Sequence, residues 1–341
     1  VGALIAWCSV SLVWSISSGM TLRRLFVLYC VLLAALGTSR QLPLKQILWL
    51  TLLTNFGFLV IGFLAEVSLG TFRPWAGDHR FSGTLHPNTQ GLNLAAMCFA
   101  ALCLVRIRPD RRVFLWTVFG IGMVFIYLTK SRTSFLGMFV ALAAIWSLSV
   151  PFLYKFSTVC VGVWFVSVVG LLFILAGTDI TESASDAALM GREEQAESLT
   201  GRLPLWTELS NYADDRLLVG YGYESFWTPQ HIDEVSSELG WGLREAHNSF
   251  LDAVLGIGLI GLFLALAMSG LALLQASNAA IKTKNPGYAF LVALIVFGML
   301  NSFTESSMIM ISFYTYLLAT GIFHLALKPL DETDVLSTHL V

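Results

Sequence analysis

Apolar runs of bilayer length follow one another along most of this 341-residue chain. Each run is about as long as the roughly 17 to 25 residues that a helix needs to cross a bilayer, and is too unbroken for an alternating barrel strand. Composition agrees, because the chain has a mean hydropathy of +0.73 and only 12% charged residues, against about 25% in soluble domains. The sequence therefore predicts an all-α, polytopic membrane protein.

Counting the apolar runs predicts about ten transmembrane helices. The run at 23–37 is short, so it is the one most open to merging with a neighbour or lying at the interface. The chain starts at Val1 without an initiator Met, and its first segment lacks the features of a signal peptide. We expect that segment to be a true span, in a chain that is either complete or truncated. The predicted spans are 2–18, 23–37, 46–69, 91–105, 113–129, 133–150, 156–176, 249–274, 288–304 and 306–327.

These spans divide the chain into four predicted parts. Residues 1–177 hold N-terminal transmembrane helices with a short loop near 70–90. Residues 178–246 form one long polar loop with an amphipathic helix, and residues 247–327 hold the C-terminal transmembrane helices. Residues 328–341 form a cytoplasmic tail.

Cysteine placement and charge exclude two classes of function. The five cysteines all lie in apolar runs and none falls in the long loop, so neither a disulfide framework nor a CxxC metal site is expected. The net charge is −2 and the basic residues are scattered among loops. Nucleic-acid binding, which needs a basic stripe or patch, is therefore excluded.

Loop charges predict which side of the membrane each loop faces. Lysine and arginine favour cytoplasmic loops, so the basic connector 106–112 is placed inside. Two spans separate loop 70–90 from the turn 130–132, and two more separate that turn from loop 178–246. All three are therefore predicted to lie on one face, which this assignment makes periplasmic.

The turn between the predicted fifth and sixth spans carries two cations. Lys130 and Arg132 lie in so tight a hairpin that both must be at or within the interface, which is costly without an anionic partner. Snorkelling toward lipid headgroups is the alternative. Because Arg80 and Arg202 belong to loops on the same face, we favour a shared anionic ligand.

The long loop begins with an acidic stretch and continues with an amphipathic one. Residues 179–197 are acidic and lack a periodic apolar face, which favours a weakly ordered lid. The next residues recur at spacings of three and four, which predicts a helix with one apolar side, suited to lying on the membrane surface. The apolar residues of this helix are Leu205, Trp206, Leu209, Tyr212 and Ala213.

Arg202 stands at the start of this predicted helix, beside Gly201 and before Pro204. Free N–H groups at a helix start and a guanidinium can together hold a phosphate. The alternative is an ordinary ion pair with Glu208 or a lid carboxylate.

Two glycine-containing segments are predicted to shape the backbone. Gly220 and Gly222 permit a tight turn, and Tyr221 between them is a candidate to stack on a sugar ring, although aromatics are also common at membrane interfaces. The small residues from Gly256 to Gly261 suit close helix contact, a structural role.

His247 is the sharpest single candidate for catalysis, because an imidazole titrates near neutrality and can take a proton from a sugar hydroxyl. Asn248 is predicted to cap the following helix or to orient the ring. Asp252 lies one turn inside the span; it is either functional or a helix-packing hydrogen-bond partner.

Loop 78–88 concentrates polar groups just before the fourth span. Arg80, His86 and Asn88 are candidates to touch the substrate. Pro87 and Asn88 also have the composition of a structural turn that leads into the helix, and that interpretation is the alternative.

Taken in order, these segments resemble the O-antigen ligase and O-antigen polymerase superfamily, including polymerases of exopolysaccharide synthesis, over nearly the whole chain. The order and spacing of the pieces are fairly specific, whereas any one alone is not. The matching pieces are Arg80-Phe81-Ser82-Gly83, His86-Pro87-Asn88, Ser131-Arg132-Thr133, Gly201-Arg202 with Trp206, Gly220-Tyr221-Gly222 with Phe226, and His247-Asn248 leading to Gly258 and Gly261.

The resemblance implies a glycosyltransferase of the GT-C kind in the bacterial inner membrane, with its active site facing the periplasm. It implies an undecaprenyl-diphosphate-linked glycan as donor and a glycan or lipid A core as acceptor. By the same analogy, Arg132 and Arg202 grip the diphosphate and His247 activates the acceptor hydroxyl. Ligases tend to continue with two threonines after the last glycine, whereas this chain has Leu262-Phe263. That difference puts ligation in doubt and leaves polymerisation open.

Neither a cofactor nor a metal is expected. The outer loops hold no Asp-x-Asp pair, and two guanidiniums can stabilise a departing diphosphate as a metal would. Two other classes of function remain as alternatives: a flippase or transporter of lipid-linked oligosaccharide, and a membrane anchor for a polysaccharide assembly. The transporter hypothesis is weakened because the sequence shows neither the inverted repeats nor the interrupted helices that are common in such proteins.

Overall fold

The computed structural model describes residues 1–148, 150, 202–239, 242–307 and 310–328, and all regular structure within them is helical. The predicted span 156–176, the lid 179–197 and the tail beyond residue 328 lie outside the described residues. The α-helices are α1 (Gly2–Val10), α2 (Ser18–Gln41), α3 (Leu44–Ser68), α4 (Pro87–Ile107), α5 (Arg112–Leu128), α6 (Arg132–Ser147), α7 (Arg202–Asp215), α8 (Pro229–Leu239), α9 (Ser249–Thr283), α10 (Pro286–Asn301) and α11 (Phe313–Leu327).

Five of the described helical segments are long and apolar enough to cross a membrane. They are α2, α3, α4, α9 and Pro109–Leu128, which joins a 3-10 turn to α5. The segment Gly2–Val13, α6, α10 and α11 are apolar but shorter. The described residues therefore form an all-helical protein with five candidate membrane spans, and the predicted number of ten stays a prediction.

The first two predicted spans differ from the structure. The run 2–18 folds as the nine-residue α1 followed by a single 3-10 turn, whereas the run predicted to be short belongs to the 24-residue α2. A helix of that length covers about 36 Å. The N-terminal segment ends early because its indoles bind backbone elsewhere. Trp7 Nε1 donates to the Ile257 carbonyl at 2.8 Å, and Trp14 Nε1 donates to the Val219 carbonyl at 3.0 Å.

Helix α4 is the centre of the bundle. It packs against α3, α5, α6 and α10, while α11 packs against α2 and α9 packs against α10. Much of its buried surface is formed by small residues, including Ala95, Ala96, Ala100 and Ala101. Small side chains let helix backbones approach closely, which is how membrane helices gain packing energy without a hydrophobic driving force.

The second half of the long loop folds over the bundle. The predicted helix is present as α7, and its apolar face packs against protein, where the sequence pattern predicted contact with the membrane surface. Leu205 and Leu209 are fully buried in a cluster with Tyr221, Phe226 and residues of α8 and α9. The hydrophobic pattern could not identify this partner, because lipid and protein cover an apolar face equally well.

Helix α9 is interrupted at Gly258, where φ is 69° and ψ is −177°. The loop segment before Gly220 fills the break: Leu259 N–H donates to the Leu217 carbonyl at 2.9 Å, and Tyr221 N–H donates to the Leu255 carbonyl at 2.7 Å. The small residues here therefore contact loop backbone, instead of the second helix that the sequence led us to expect. Gly220 itself has a φ of 68°.

Glu66, at the end of α3, holds the short polar loop that leads to α4. Its Oε1 accepts from the Ser82 N–H at 2.9 Å and from the Gly83 N–H at 2.8 Å. Gly83 has a φ of 61° and packs against Gly62, where an added Cβ would lie 2.8 Å from the Gly83 Cα. This clamp fixes the backbone from which Arg80 extends.

Replacing Glu66 by alanine leaves two N–H groups without their acceptor. Because an unsatisfied buried donor costs about 1–3 kcal/mol, we expect Glu66→Ala to lower the free energy of unfolding in detergent by about 2–3 kcal/mol. Glu66→Gln keeps an acceptor oxygen and should lose less. Equal thermal unfolding midpoints for wild type and Glu66→Ala would contradict this role.

Candidate active site

Glu305 is the centre of a polar cluster at the loop end of the bundle. Its Oε1 accepts from Arg202 Nη2 at 2.7 Å and from Asn88 Nδ2 at 2.6 Å. Its Oε2 lies 3.8 Å from His247 Nδ1. One carboxylate, 9% exposed, therefore joins three residues that the sequence predicted for the site from three distant segments.

Sequence reasoning missed Glu305. Glu305 is the single residue between predicted spans 288–304 and 306–327, so it was not part of any predicted loop. In the structure, α10 ends at Asn301 and α11 starts only at Phe313, with Ser312 forming a capping box. The only signal in the sequence was an acidic residue flanked by apolar runs, a default indication of function in membrane proteins.

Arg202 is at the first turn of α7, as predicted. Among the described residues its partner is Glu305 and not Glu208, whereas the lid carboxylates lie outside the described residues. Burial alone would raise the pKa of Glu305, but His247 and the Arg202 guanidinium outweigh it and hold that pKa below its usual range. Glu305 is thus an anion that keeps Arg202 directed into the cluster.

His247 is placed by an unusual backbone and by the cap that follows it. Its φ of 49° is left-handed, which is uncommon for a residue with a side chain and points to a functional constraint. Asn248 caps α9 by accepting from the Phe250 and Leu251 N–H groups at 3.0 and 3.1 Å. The predicted capping role of Asn248 is confirmed.

Two carboxylates face the same ring nitrogen of His247. Nδ1 lies 3.1 Å from Glu245 Oε1 and 3.8 Å from Glu305 Oε2. Burial lowers the pKa of His247, but interaction with Glu305 and the negative charge of Glu245 outweigh it, so the pKa lies above the ordinary 6.5. The imidazole is therefore more basic than a free one.

Arg80, Asn88 and His86 extend the cluster toward α4 and α5. Arg80 donates from Nη2 to Asn88 Oδ1 at 2.7 Å and from Nε to the Thr129 carbonyl at 3.0 Å. His86 is the N-cap of α4 and accepts from the Asn88 N–H at 3.4 Å. Burial lowers the pKa of His86, with Glu305 opposing the shift. These residues therefore form the turn that leads into α4 and also lie beside the cluster, so the structural interpretation does not exclude a place at the site.

Arg132 opens α6 near the same carboxylate. The hydroxyl of the next residue, Thr133, is 2.7 Å from that of Thr304, the neighbour of Glu305. The Nη2 atom of Arg132 is buried and has no hydrogen-bond partner among the described residues. A buried guanidinium N–H without a partner is costly, so this atom is suited to an anionic ligand.

Lys130 and Tyr221 are engaged in structural contacts. Lys130 Nζ donates to the Gly77 carbonyl. Tyr221 is 7% exposed in the loop core, and its hydroxyl donates to the Tyr212 carbonyl at 2.9 Å. A buried ring has no open face for a sugar, so we assign Tyr221 to packing and Lys130 to holding the loop.

Asp252 has the packing role that the sequence left as its alternative. It accepts from Trp227 Nε1 at 2.9 Å, from the Ala246 N–H at 3.2 Å and from the Ser306 hydroxyl. These bonds tie the segment before His247 to α9 and to the connection that carries Glu305. Asp252 therefore helps to fix the positions of the two segments that carry His247 and Glu305.

A cavity of about 270 Å³ adjoins the cluster. Apolar side chains of α1, α2, α9 and α11 form its walls, and Arg244, Glu245, Asp252 and Ser306 are among its polar lining. Apolar walls with a few convergent polar groups suit an amphipathic molecule.

Glu245, His247 and Glu305 offer ligand atoms that all lie within 4.8 Å of one another. These atom types can bind divalent cations. However, Glu305 already binds the Arg202 guanidinium, whose positive charge opposes a second cation on the same carboxylate. We therefore assign the three residues to the ion-pair network.

Comparisons with known proteins agree with the motif analysis. Residues 117–266 match the family described as O-antigen ligase. The exopolysaccharide production protein ExoQ of Rhizobium meliloti (strain 1021) is 25% identical over 280 residues, which cover 77% of this chain and 61% of that protein. The chain is therefore similar to the O-antigen ligase family over these residues, and it spans about three fifths of the length of the exopolysaccharide production protein that it matches.

Proposed function

We propose that this chain is a GT-C-like membrane glycosyltransferase that moves a glycan from an undecaprenyl-diphosphate carrier to an acceptor hydroxyl at the periplasmic face of the bacterial inner membrane. The observation that carries this proposal is the buried Nη2 of Arg132, which has no hydrogen-bond partner among the described residues. The next residue, Thr133, contacts the neighbour of Glu305, and Glu305 forms the ion pair with Arg202. Positive groups gathered at a membrane surface, one of them unsatisfied, call for an anionic ligand from the membrane.

A diphosphate supplies that anion. Its diester carries two negative charges, and negative charge grows on the leaving oxygen as the bond to the sugar breaks. Guanidinium groups form short, charge-assisted and often forked hydrogen bonds to phosphate oxygens, so Arg132 and Arg202 stabilise the leaving group. Glu305 holds Arg202 in a fixed direction before the donor binds, and Arg80 supports the neighbouring Asn88. The proposed transfer is metal-independent.

His247 removes the proton from the acceptor hydroxyl. Its raised pKa makes the neutral imidazole a stronger base than a free one, while it lowers the fraction of the ring that is neutral at a given pH. The acceptor is a growing glycan or the lipid A core. The residues Leu262-Phe263 after the last glycine of the motif favour polymerisation.

Among the described residues, helix α9 is interrupted at Gly258, contrary to the expectation of uninterrupted helices, and interrupted helices are common in transporters. Its freed backbone groups are bonded to the loop segment near Gly220, so the break does not offer open carbonyls to an ion or solute. The break in α9 therefore gives little support to the hypothesis that the protein is a flippase.

Replacing either arginine by alanine tests the proposal. Removing one donor to a developing charge costs about 10²–10³ in rate, so we expect Arg132→Ala and Arg202→Ala each to lower transfer by about 100-fold. The assay uses purified protein in vesicles, a purified lipid-linked oligosaccharide donor, and mass spectrometry of the glycan product, with and without a chelator.

The matched control is Arg73→Ala, which removes an exposed loop arginine whose Nε donates to the Gly70 carbonyl; its transfer rate should be that of wild type. Unchanged transfer in both site variants, or activity abolished by chelator and restored by a divalent cation, would defeat the mechanism. Loss of lipid flipping in place of transfer would favour the transporter.

A further inference from the structure

The segment Glu245-Ala246-His247 is fixed at its middle residue. The Ala246 N–H donates to both carboxylate oxygens of Asp252 at 3.2 Å, and its carbonyl accepts from Trp206 Nε1 at 2.8 Å. With Ala246 anchored on both sides, the two flanking side chains leave the backbone at fixed points. The left-handed backbone of His247 brings its ring to the Glu245 carboxylate.

The surroundings of the ring decide which nitrogen carries the proton. Glu245 Oε1 at 3.1 Å and Glu305 Oε2 at 3.8 Å both face Nδ1. A lone pair on Nδ1 would face two anions, whereas an N–H there is attracted by both. From these ion-pair distances we assign the proton of the neutral ring to Nδ1, which leaves Nε2 as the nitrogen that accepts a proton.

We propose that Glu245 is a positioning residue of the transferase, one that holds the Nδ1–H tautomer of His247 so that Nε2 faces the acceptor hydroxyl. This inference rests on the proposed function of His247 as base. A carboxylate that orients a catalytic imidazole and stabilises its protonated form is a recurring device in nucleophile activation.

Glu245 and Glu305 have different roles, one toward His247 and the other toward the donor-binding residues. Glu305 Oε1 already accepts from Arg202 and Asn88, so it belongs to the donor-binding side. Glu245 lines the cavity, and its Oε2 is buried without a hydrogen-bond partner among the described residues. Glu245 therefore has the free capacity to stabilise the imidazolium.

The proton and electrons balance in this scheme. The acceptor oxygen gives its proton to Nε2 and forms the new bond to the anomeric carbon. The bond from that carbon to the diphosphate oxygen breaks, and the electron pair leaves with the diphosphate. The imidazolium, stabilised by Glu245, afterwards releases its proton to water. No oxidant, reductant or further reactant is needed.

Glu245→Gln tests this assignment, because it keeps the shape and removes the charge. The active form of His247 is neutral, and the negative charge of Glu245 raises its pKa. Removing that charge should therefore shift the acid limb of the pH–rate profile to lower pH, by about one unit, and lower the maximal rate about tenfold. Within the part of the chain that the structure describes, other charged or titratable groups near His247 include Glu305, Arg202, Asp252 and His86.

A second readout does not depend on transfer. Diethylpyrocarbonate modifies only neutral imidazole, so peptide-resolved mass spectrometry of His247 labelling against pH gives its titration midpoint directly. We expect a midpoint above 6.5 in wild type and about one unit lower in Glu245→Gln. If the midpoint shifts but no transferase activity is detected, the proposed function is contradicted, whereas the contact between Glu245 and His247 is supported.

Two controls separate positioning from stability. Glu245→Asp keeps the charge and should restore most of the acid limb. Glu234→Gln removes a carboxylate that accepts from Gln230 and Tyr212 in the loop, away from His247, and it should leave the profile unchanged. An acid limb and a labelling midpoint in Glu245→Gln that both equal wild type would overturn the proposal.

Discussion

Gly258→Ala is expected to be among the most destabilising single substitutions in the described residues. The backbone there has φ 69° and ψ −177°, a region that is essentially restricted to glycine and costs other residues about 1–3 kcal/mol. An added Cβ would also lie 2.1 Å from the Leu218 carbonyl oxygen. We expect a loss of about 2–6 kcal/mol in unfolding free energy, because relieving the overlap adds about 1–3 kcal/mol to the backbone cost.

The measurement is a denaturation curve in detergent, together with the yield of monodisperse protein. Gly270→Ala is the matched control, because this glycine is in the same helix and an added Cβ would meet nothing within 4 Å. It should be neutral or slightly stabilising, since alanine favours helix over glycine. Equal stability of the two variants would mean that the loop does not pack into the break.

Removing Glu305 is expected to disrupt stability and transfer together. In Glu305→Ala, Arg202 and Asn88 lose their shared acceptor and His247 loses one of its two neighbouring carboxylates. Breaking a buried ion pair from one side costs about 3–5 kcal/mol. Because Arg202 then lacks a fixed direction, we also expect transfer to fall by more than about 100-fold, as for loss of a preorganised donor.

Glu305→Gln should be milder, since it keeps an acceptor oxygen and loses only the charge. The pKa of Glu305 is held below its usual 4.5, so its charge stabilises the fold above pH 4.5 and this stabilisation is lost as the pH falls through the lowered pKa. The stability difference between wild type and Glu305→Gln should therefore be full at neutral pH and shrink in acid.

Glu208→Gln is the control for Glu305, because it removes a carboxylate on the same helix as Arg202 that accepts a hydrogen bond from Asn211, outside the cluster. It should leave stability and transfer unchanged. A Glu305→Ala variant that is as stable and active as wild type would remove the carboxylate from the centre of the site.

The sequence predicted most of the residues in the cluster but not the residue that connects them. Arg202, Asn88 and His247 carry recognisable chemistry in polar loops, so they could be named without coordinates. Glu305 lies between two apolar runs, where hydropathy averages hide a single charge. Tyr221 shows the reverse error, because an aromatic next to glycine suggested a sugar platform while the folded loop buried the ring in its own core.

Apolar length and periodicity alone determined that the chain is helical, crosses the membrane and carries an amphipathic helix after Arg202, because these properties depend on neighbours within a few turns. Tertiary structure decided the break at Gly258, the docking of the loop into it, and the meeting of Arg202, Asn88 and His247 at Glu305. Those features arise from contacts between residues far apart in the chain, and a hydrophobic pattern carries no information about which distant partner satisfies a buried polar group.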